Sequence, residues 1–374
     1  MPPVNAAPLS VETGGPAPLP AGSPPILPVR MSHSAGLDEI LRQLRLSVLL
    51  TNYQAGGVVA IRADEQGIDP LIRYFDKPMG LAVAGRRLAV GVRNQVWTYY
   101  NYPQVAPHIE PKGRHDVCFL PRTSHVTGDI HGHEMAWVGE ELWIVNTLYS
   151  CLCTLHPRYN FVPRWQPSFI TEIVAADRCH LNGLALRDGQ IKYITALAET
   201  DSFGGWRSNK ATSGVVLEYP SGRVVARGLS MPHSPRWHND QLWVLESGRG
   251  ALLVVDPQSG DRQTVATVPG FTRGLSFRGP LAFIGLSKMR ETALSGGLPI
   301  EQHRDELQCG VWIVDTRNGQ TVGFFRFDAG VEELFAVEVL PGSRFPEIVA
   351  FQKDSVNNLF ILPDENEMIQ MGVQ

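Results

Sequence analysis

One pattern recurs along the chain: a short apolar run, a turn of four to six residues, and a second apolar run that often closes on Asp-Pro or Asp-Thr. LWIVNTLYSCLCTLHP (residues 142–157) and LWVLESGRGALLVVDP (residues 242–257) nearly superimpose. The same hairpin is read at residues 48–62, 88–100 and 348–363, and with enlarged turns at residues 191–219 and 281–315, which makes seven. A tight lead-in and a small, apolar strand precede most of them: PMGLAV, HEMAWV, LNGLAL, HSPRWH, TRGLSF and LFAVEV, which makes six. From Gly80 to Met135, Gly183, Pro235, Gly274 and Ala336 the steps are 55, 48, 52, 39 and 62 residues. That is the period of a four-stranded propeller blade, and no long helical pattern competes with it.

A blade is a small sheet with two apolar faces, and stacking blades in a closed ring leaves neither face bare. Gly80, Ala82, Gly183, Ala185, Gly274 and Ser276 suit innermost strands, where chains crowd the axis. The expectation is an all-β protein, a β-propeller of six or seven four-stranded blades, forming a single domain over residues 36–374. Residues 46–75 either complete the last blade or form a seventh with the C-terminal tail. Tryptophans 97, 143, 243 and 312 fall inside repeat hairpins and are read as core between blades.

Ahead of the repeats, residues 1–35 read as a disordered Pro/Ala/Gly-rich tail, with 9 of the 28 prolines in the first thirty positions. GLDEILRQLR (residues 36–45) carries Leu37, Ile40, Leu41 and Leu44 at helical spacing and predicts a short amphipathic helix packed on a neighbouring surface.

Composition narrows the function. With 43% hydrophobic and 19% charged residues the chain buries a core. A net charge of -4 without a Lys/Arg block argues against nucleic acid as partner. No apolar run approaches the roughly 18 residues of a membrane span, and the N-terminus lacks a basic segment followed by an apolar one, so no membrane association is expected. Five cysteines without a CxxC pair, and no glycosylation sequon, point to a reducing cytoplasm.

In a propeller, the lead-in to each innermost strand and the turn between the second and third strands open on one face, around the channel mouth. His133, His180 and His233 come from three consecutive blades at nearly the same register, so ring closure is expected to bring them together. Two chemistries suit them. As metal ligands, with a carboxylate from Glu134, Glu246 or Glu333, they would hold a divalent first-row metal ion with open positions. Without metal, an imidazole serves as general acid or base. A structural role, with each histidine bonded to backbone, is the third reading.

The HGHE segment is not the HExxH helix of a metalloprotease, because its histidines are two apart. Glu134, Glu333 and Arg273 are the candidate catalytic groups. Arg207, Arg236, Lys288, Asn182 and Glu246 are the candidate substrate-binding ones, and the cations imply a small-molecule or peptide substrate bearing an anionic group. The long turns at residues 199–213 and 288–307 are candidate lids. Cys179, beside His180, is read as a buried structural thiol or a soft ligand or nucleophile, and Cys151 and Cys153 as packing. GxSxG, Walker and dinucleotide-binding patterns are absent.

Residues 129–157 (DIHGHEMAWVGEELWIVNTLYSCLCTLHP), 177–186 (DRCHLNGLAL), 226–238 (ARGLSMPHSPRWH) and 269–277 (PGFTRGLSF) resemble a bacterial family of conserved hypothetical proteins with propeller-like repeats, over about residues 40–365. That resemblance implies the fold and transfers no activity. More distantly the repeats look like those of propeller lactonases and virginiamycin B lyase, which hold a divalent metal or a His base at the channel mouth. The expected function is metal-assisted chemistry, as lyase, hydrolase or modifier of a peptide or metabolite. The alternative is a non-catalytic propeller that binds a peptide or protein.

Overall fold

Leu46–Asn52 is buried at all seven positions, so neither face of this strand meets water. Runs of this kind need cover on both sides, and a ring of stacked blades supplies it. The computed structural model of the chain describes residues 6–9, 28–289, 297–351 and 355–372. It is a six-bladed β-propeller. The innermost strands of blades 1 to 6 are Val337–Pro341, Leu81–Ala84, Gly132–Val138, Leu181–Arg187, Pro232–His238 and Phe271–Arg278. Each belongs to one of the six small, apolar strands read in the sequence.

The ring closes in blade 1, where Val337–Pro341 pairs antiparallel with Leu46–Asn52 and the sheet continues through Gly57–Asp64 and Gly67–Tyr74. Residues 46–75 therefore complete the last blade, and the count is six. Six of the seven expected hairpins form, but that of residues 348–363 does not. Pro346–Ile348 instead lies parallel to Val117–Val126 on the outer edge of blade 2, and Ser355–Asn358 is helical. Residues 352–354 lie outside the described residues. The physical reason is that Val337–Pro341 has already taken the last inner position, so the chain beyond it can add only to an edge.

Each blade interface has its own apolar cluster. Leu49 of blade 1 shares a cluster with Leu88 of blade 2, Ile194 of blade 4 with Trp143 of blade 3, and Val337 of blade 1 with Phe283 of blade 6. Trp143, Trp243 and Trp312 are buried in such clusters and Trp97 packs against one.

The tail needs correction. Arg30–Ser34, expected to be disordered, is a fifth strand of blade 6 along Gln320–Ala329, and Ala6–Leu9 pairs outside it. The unpaired edge of blade 6 supplies backbone partners, and Met31 is buried in the cluster between blades 6 and 1. Residues 1–5 and 10–27 lie outside the described residues. The predicted helix forms at Leu37–Leu44, with Leu37 and Leu41 in that same cluster. Eight residues do not hold a helix in water unaided, so this burial is what fixes it.

Hydroxyls clasp the blades together. Thr51 Oγ1 donates to Met79 O, Thr147 Oγ1 to Leu181 O, Ser247 Oγ to Thr272 O and Ser287 Oγ to Leu334 O. In each case the end of a second strand reaches the inner strand or lead-in of the next blade. Thr147→Val keeps the shape and leaves a buried carbonyl without its donor, an expected loss of about 1–3 kcal/mol in the urea unfolding free energy. No measurable loss would show that these hydroxyls do not couple the blades.

Candidate functional site

The inner strands of blades 3 to 6 each carry one extra residue relative to the second strand, with register shifts at Gly132/Met135, Leu181/Gly183, His233/Arg236 and Thr272/Leu275. Such β-bulges re-aim side chains, and here the four contain His133, Glu134, Asn182, Ser234 and Arg273, which line one cavity. Gly132, Leu181 and Pro232 each face the last residue of their second strands, so His133 and His233 occupy one structural position and Asn182 fills it in blade 4. His180 stands two residues earlier, at the position of His131 and Met231. The near-equivalence expected of the three histidines therefore holds for two. His131, His180 and Met231 share a left-handed backbone, with φ of 52°, 50° and 51°, which non-glycine residues rarely adopt outside sites that need it.

His133 and His233 line one central cavity with Glu134, Asn182, Ser234, Arg236, Arg273 and Phe335. The His133 and His180 rings meet edge to face at 4.8 Å. Hydrogen bonding fixes each ring. His233 Nδ1 lies 3.0 Å from Met231 O and 2.9 Å from Ser247 Oγ, whose own proton goes to Thr272 O. His133 Nδ1 lies 3.0 Å from His131 O and 2.8 Å from Thr147 Oγ1, whose proton goes to Leu181 O. Both Nδ1 atoms face acceptors, so each neutral ring carries its proton there and presents Nε2 as a lone pair. His233 Nε2 is buried and has no hydrogen-bond partner among the described residues. His180 Nδ1 lies 2.9 and 3.1 Å from the two oxygens of Asp177.

Burial first, then the charges of Arg273 and His180, push both His133 and His233 well below the usual imidazole range, so both stay neutral. Arg273 lies 3.6 Å from Glu333 and sits over the Phe335 ring at 3.7 Å.

Deeper in the channel Arg236 is clamped between Glu134 and Glu338, and Glu134 also accepts from Leu184 N–H at 3.0 Å. Two carboxylates face one guanidinium in a channel where Arg236 and Glu338 are only partly exposed, at 21% and 22%. Burial raises Glu134, and it pushes Glu338 up to about 7 against the pull of Arg236. Burial would lower Arg236, but the two carboxylates outweigh it and keep it charged.

The histidines and Glu338 have opposite effects on stability. An imidazole whose folded value lies below its unfolded 6.5 stabilises above that pH and loses the contribution as pH falls. A carboxyl raised from 4.5 to about 7 stabilises below 4.5 and loses the contribution as pH rises toward 7. Glu338→Gln removes the second effect, so stability is expected to fall more steeply between pH 7 and pH 5 than in wild type. Urea midpoints across that range check it, and superimposable profiles would contradict the buried, raised carboxyl.

The other predicted residues take varied positions. Asn182 bridges blades, donating to Pro232 O at 3.0 Å and accepting from Thr195 at 2.6 Å, while lining the cavity. Glu246 is buried where blades 4 and 5 meet, accepting from Ser230 N–H at 2.9 Å. Arg207 is half-exposed, stacked on Trp206 at 4.5 Å and 3.5 Å from Asp177. Lys288 comes directly after the second strand of blade 6, and its N–H donates to Glu332 O at 2.9 Å. Cys179 is buried and burial pushes its thiol up to about 12, which removes it as a thiolate nucleophile at neutral pH. The two long turns share one apolar cluster of Trp206, Met231, Leu298, Ile300 and Leu307, so their described parts are anchored over blade 5. Residues 290–296 lie outside the described residues. Among the described residues no three His, Cys, Asp or Glu side chains are grouped to hold a metal ion.

Comparison with known proteins places this geometry in a family. The model of a domain of unknown function, DUF4915, matches residues 35–349. The chain belongs to this family. The match ends at the blade 2 edge strand Pro346–Ile348, so the family domain contains the whole ring and every residue of the channel. No curated protein matches the chain. Among solved structures it is similar to one described as the crystal structure of a nidogen/laminin complex, with a TM-score of 0.53 and 10% identity over 79% of this chain and 99% of that one. At that identity the likeness concerns the fold.

Within this family member the sequence reading passed over Asp177, Thr147, Ser247, Phe335 and Glu338. Asp177 and Glu338 are lone acidic residues with no motif around them. Only a comparison of blade ends, where Thr51, Thr147, Ser247 and Ser287 recur, would have singled out the two hydroxyls.

Proposed function

We propose that the channel mouth takes up a small anionic molecule. Arg273 faces its anionic group, and His133 and His233 accept hydrogen bonds from its hydroxyl or amine protons. The observation that carries this is the fixed tautomer of both imidazoles: two neutral Nε2 lone pairs beside a guanidinium make a site that favours an anion bearing donors. The enclosed cavity holds about 10 Å³, room for about one water, so only the innermost polar atom of a ligand enters it.

The divalent-metal reading of His133, His180 and His233 shares one supporting feature, since ligand histidines are also anchored through Nδ1. Arg273 counts against it, because the cation that lowers both imidazoles also repels a metal ion.

Titration calorimetry with inorganic phosphate and with malonate tests the proposal. Wild type is expected to bind at least one of them, and Arg273→Gln to bind it at least about tenfold more weakly, the loss of one charge-assisted contact. Equal binding by the variant would reject the anion site, and stoichiometric metal by elemental analysis would favour the metal reading.

A further inference from the structure

The mouth contains a pairing that anion binding does not require. Asp177 is buried, and both its oxygens face His180 Nδ1, at 2.9 and 3.1 Å. The carboxylate is itself held by Trp206 Nε1 at 3.0 Å, with Arg207 3.5 Å away. The His180 ring is packed between Trp206, at 4.4 Å, and His133, at 4.8 Å. Asp177 and His180 both have left-handed backbone, φ 44° and 50°, a strained arrangement that an enclosing structure must impose. A carboxylate on Nδ1 fixes the imidazole as the Nδ1–H tautomer and stabilises the imidazolium that forms when Nε2 takes a proton.

Resting on the anion site above, we propose that His180 is a general base toward the bound anion and that Asp177 is its positioning residue. The substrate class is a small carboxylate or phosphate ester that also carries a carbonyl beside a C–H bond. The C–H bond breaks, the proton passes to His180 Nε2, and the electron pair moves onto the adjacent carbonyl oxygen as an enolate, while the anionic group stays against Arg273. Asp177 remains ionised and balances the imidazolium. Return of the proton to a neighbouring atom of the same molecule restores the site without a co-reactant, which makes the reaction an isomerisation by proton transfer.

The test reads the imidazole directly. Nitrogen-15 NMR at pH 8 is expected to show His180 as the Nδ1–H tautomer, and diethyl pyrocarbonate to modify its Nε2, as read by peptide mass spectrometry. Asp177→Asn is expected to shift the tautomer toward Nε2–H and slow modification at least tenfold. Trp206→Phe, which keeps the carboxylate and loses one donor to it, is expected to slow it less, and supplies the reading if Asp177→Asn does not fold. Wild-type tautomer and rate in both variants would overturn the role of His180. Inorganic phosphate or malonate is expected to protect His180 in wild type and not in Arg273→Gln. Modification unaffected by both phosphate and malonate in wild type would overturn the anion site alone, because the tautomer result is obtained without any ligand.

Discussion

Arg236→Met is expected to lower the unfolding free energy by about 3–5 kcal/mol, the cost of removing one partner from a buried ion pair. Arg236 is the cation between Glu134 and Glu338, and all three lie in the channel at the crossing of blades 3, 5 and 1. Methionine fills a similar volume, so packing is nearly kept and the effect reports the stranded carboxylates. Urea denaturation at pH 7 measures it. The triple variant Arg236→Met, Glu134→Gln, Glu338→Gln is expected to recover much of the loss, because no buried charge then remains without a partner. A single variant within about 1 kcal/mol of wild type would show that water reaches the network and screens it.

The second large effect is expected from Gly274→Ala. Gly274 has φ +81°, and a Cβ there would stand 2.6 Å from Val337 N and 2.9 Å from Ala336 C, both backbone atoms. These belong to the strand that closes the ring and its lead-in, so the collision opens the seam between blades 6 and 1. A left-handed backbone costs an L-residue about 1–2 kcal/mol, and the clash raises the expected total to about 3–5 kcal/mol. Gly279→Ala is the control: its φ is +55° and nothing lies within 4 Å of the new carbon, so only the backbone term applies. Thermal melts of the two variants should differ by several degrees. Matching melts would show that the seam yields without cost.

Much of the architecture was legible because hydrophobic periodicity and small residues at fixed steps are local signals. The inner strands could be named from short strings such as LNGLAL, since several positions crowded around the axis tolerate little besides glycine and alanine. Gly183 shows the constraint: a Cβ there would lie 2.4 Å from Pro235 Cδ and 2.5 Å from Thr195 Oγ1. The hairpin expected at residues 348–363 misled because an apolar, turn-punctuated run looks the same whether or not an inner position remains for it. Arg30–Ser34 misled for the opposite reason, since its proline-rich flank reads as tail while an exposed sheet edge supplies partners from 290 residues away.

The sequence by itself determined the repeat, the strand order within a blade and the residue types that face the axis, because these depend on neighbours within about fifty positions. Only the tertiary structure decided which charges meet. Arg236 pairs with Glu134 and Glu338, some hundred residues to either side, and Asp177 rather than a neighbouring glutamate orients His180. A β-bulge moves a side chain by one register step and a closed ring brings distant strands together, so the partners of a buried charge depend on a geometry that no local pattern encodes.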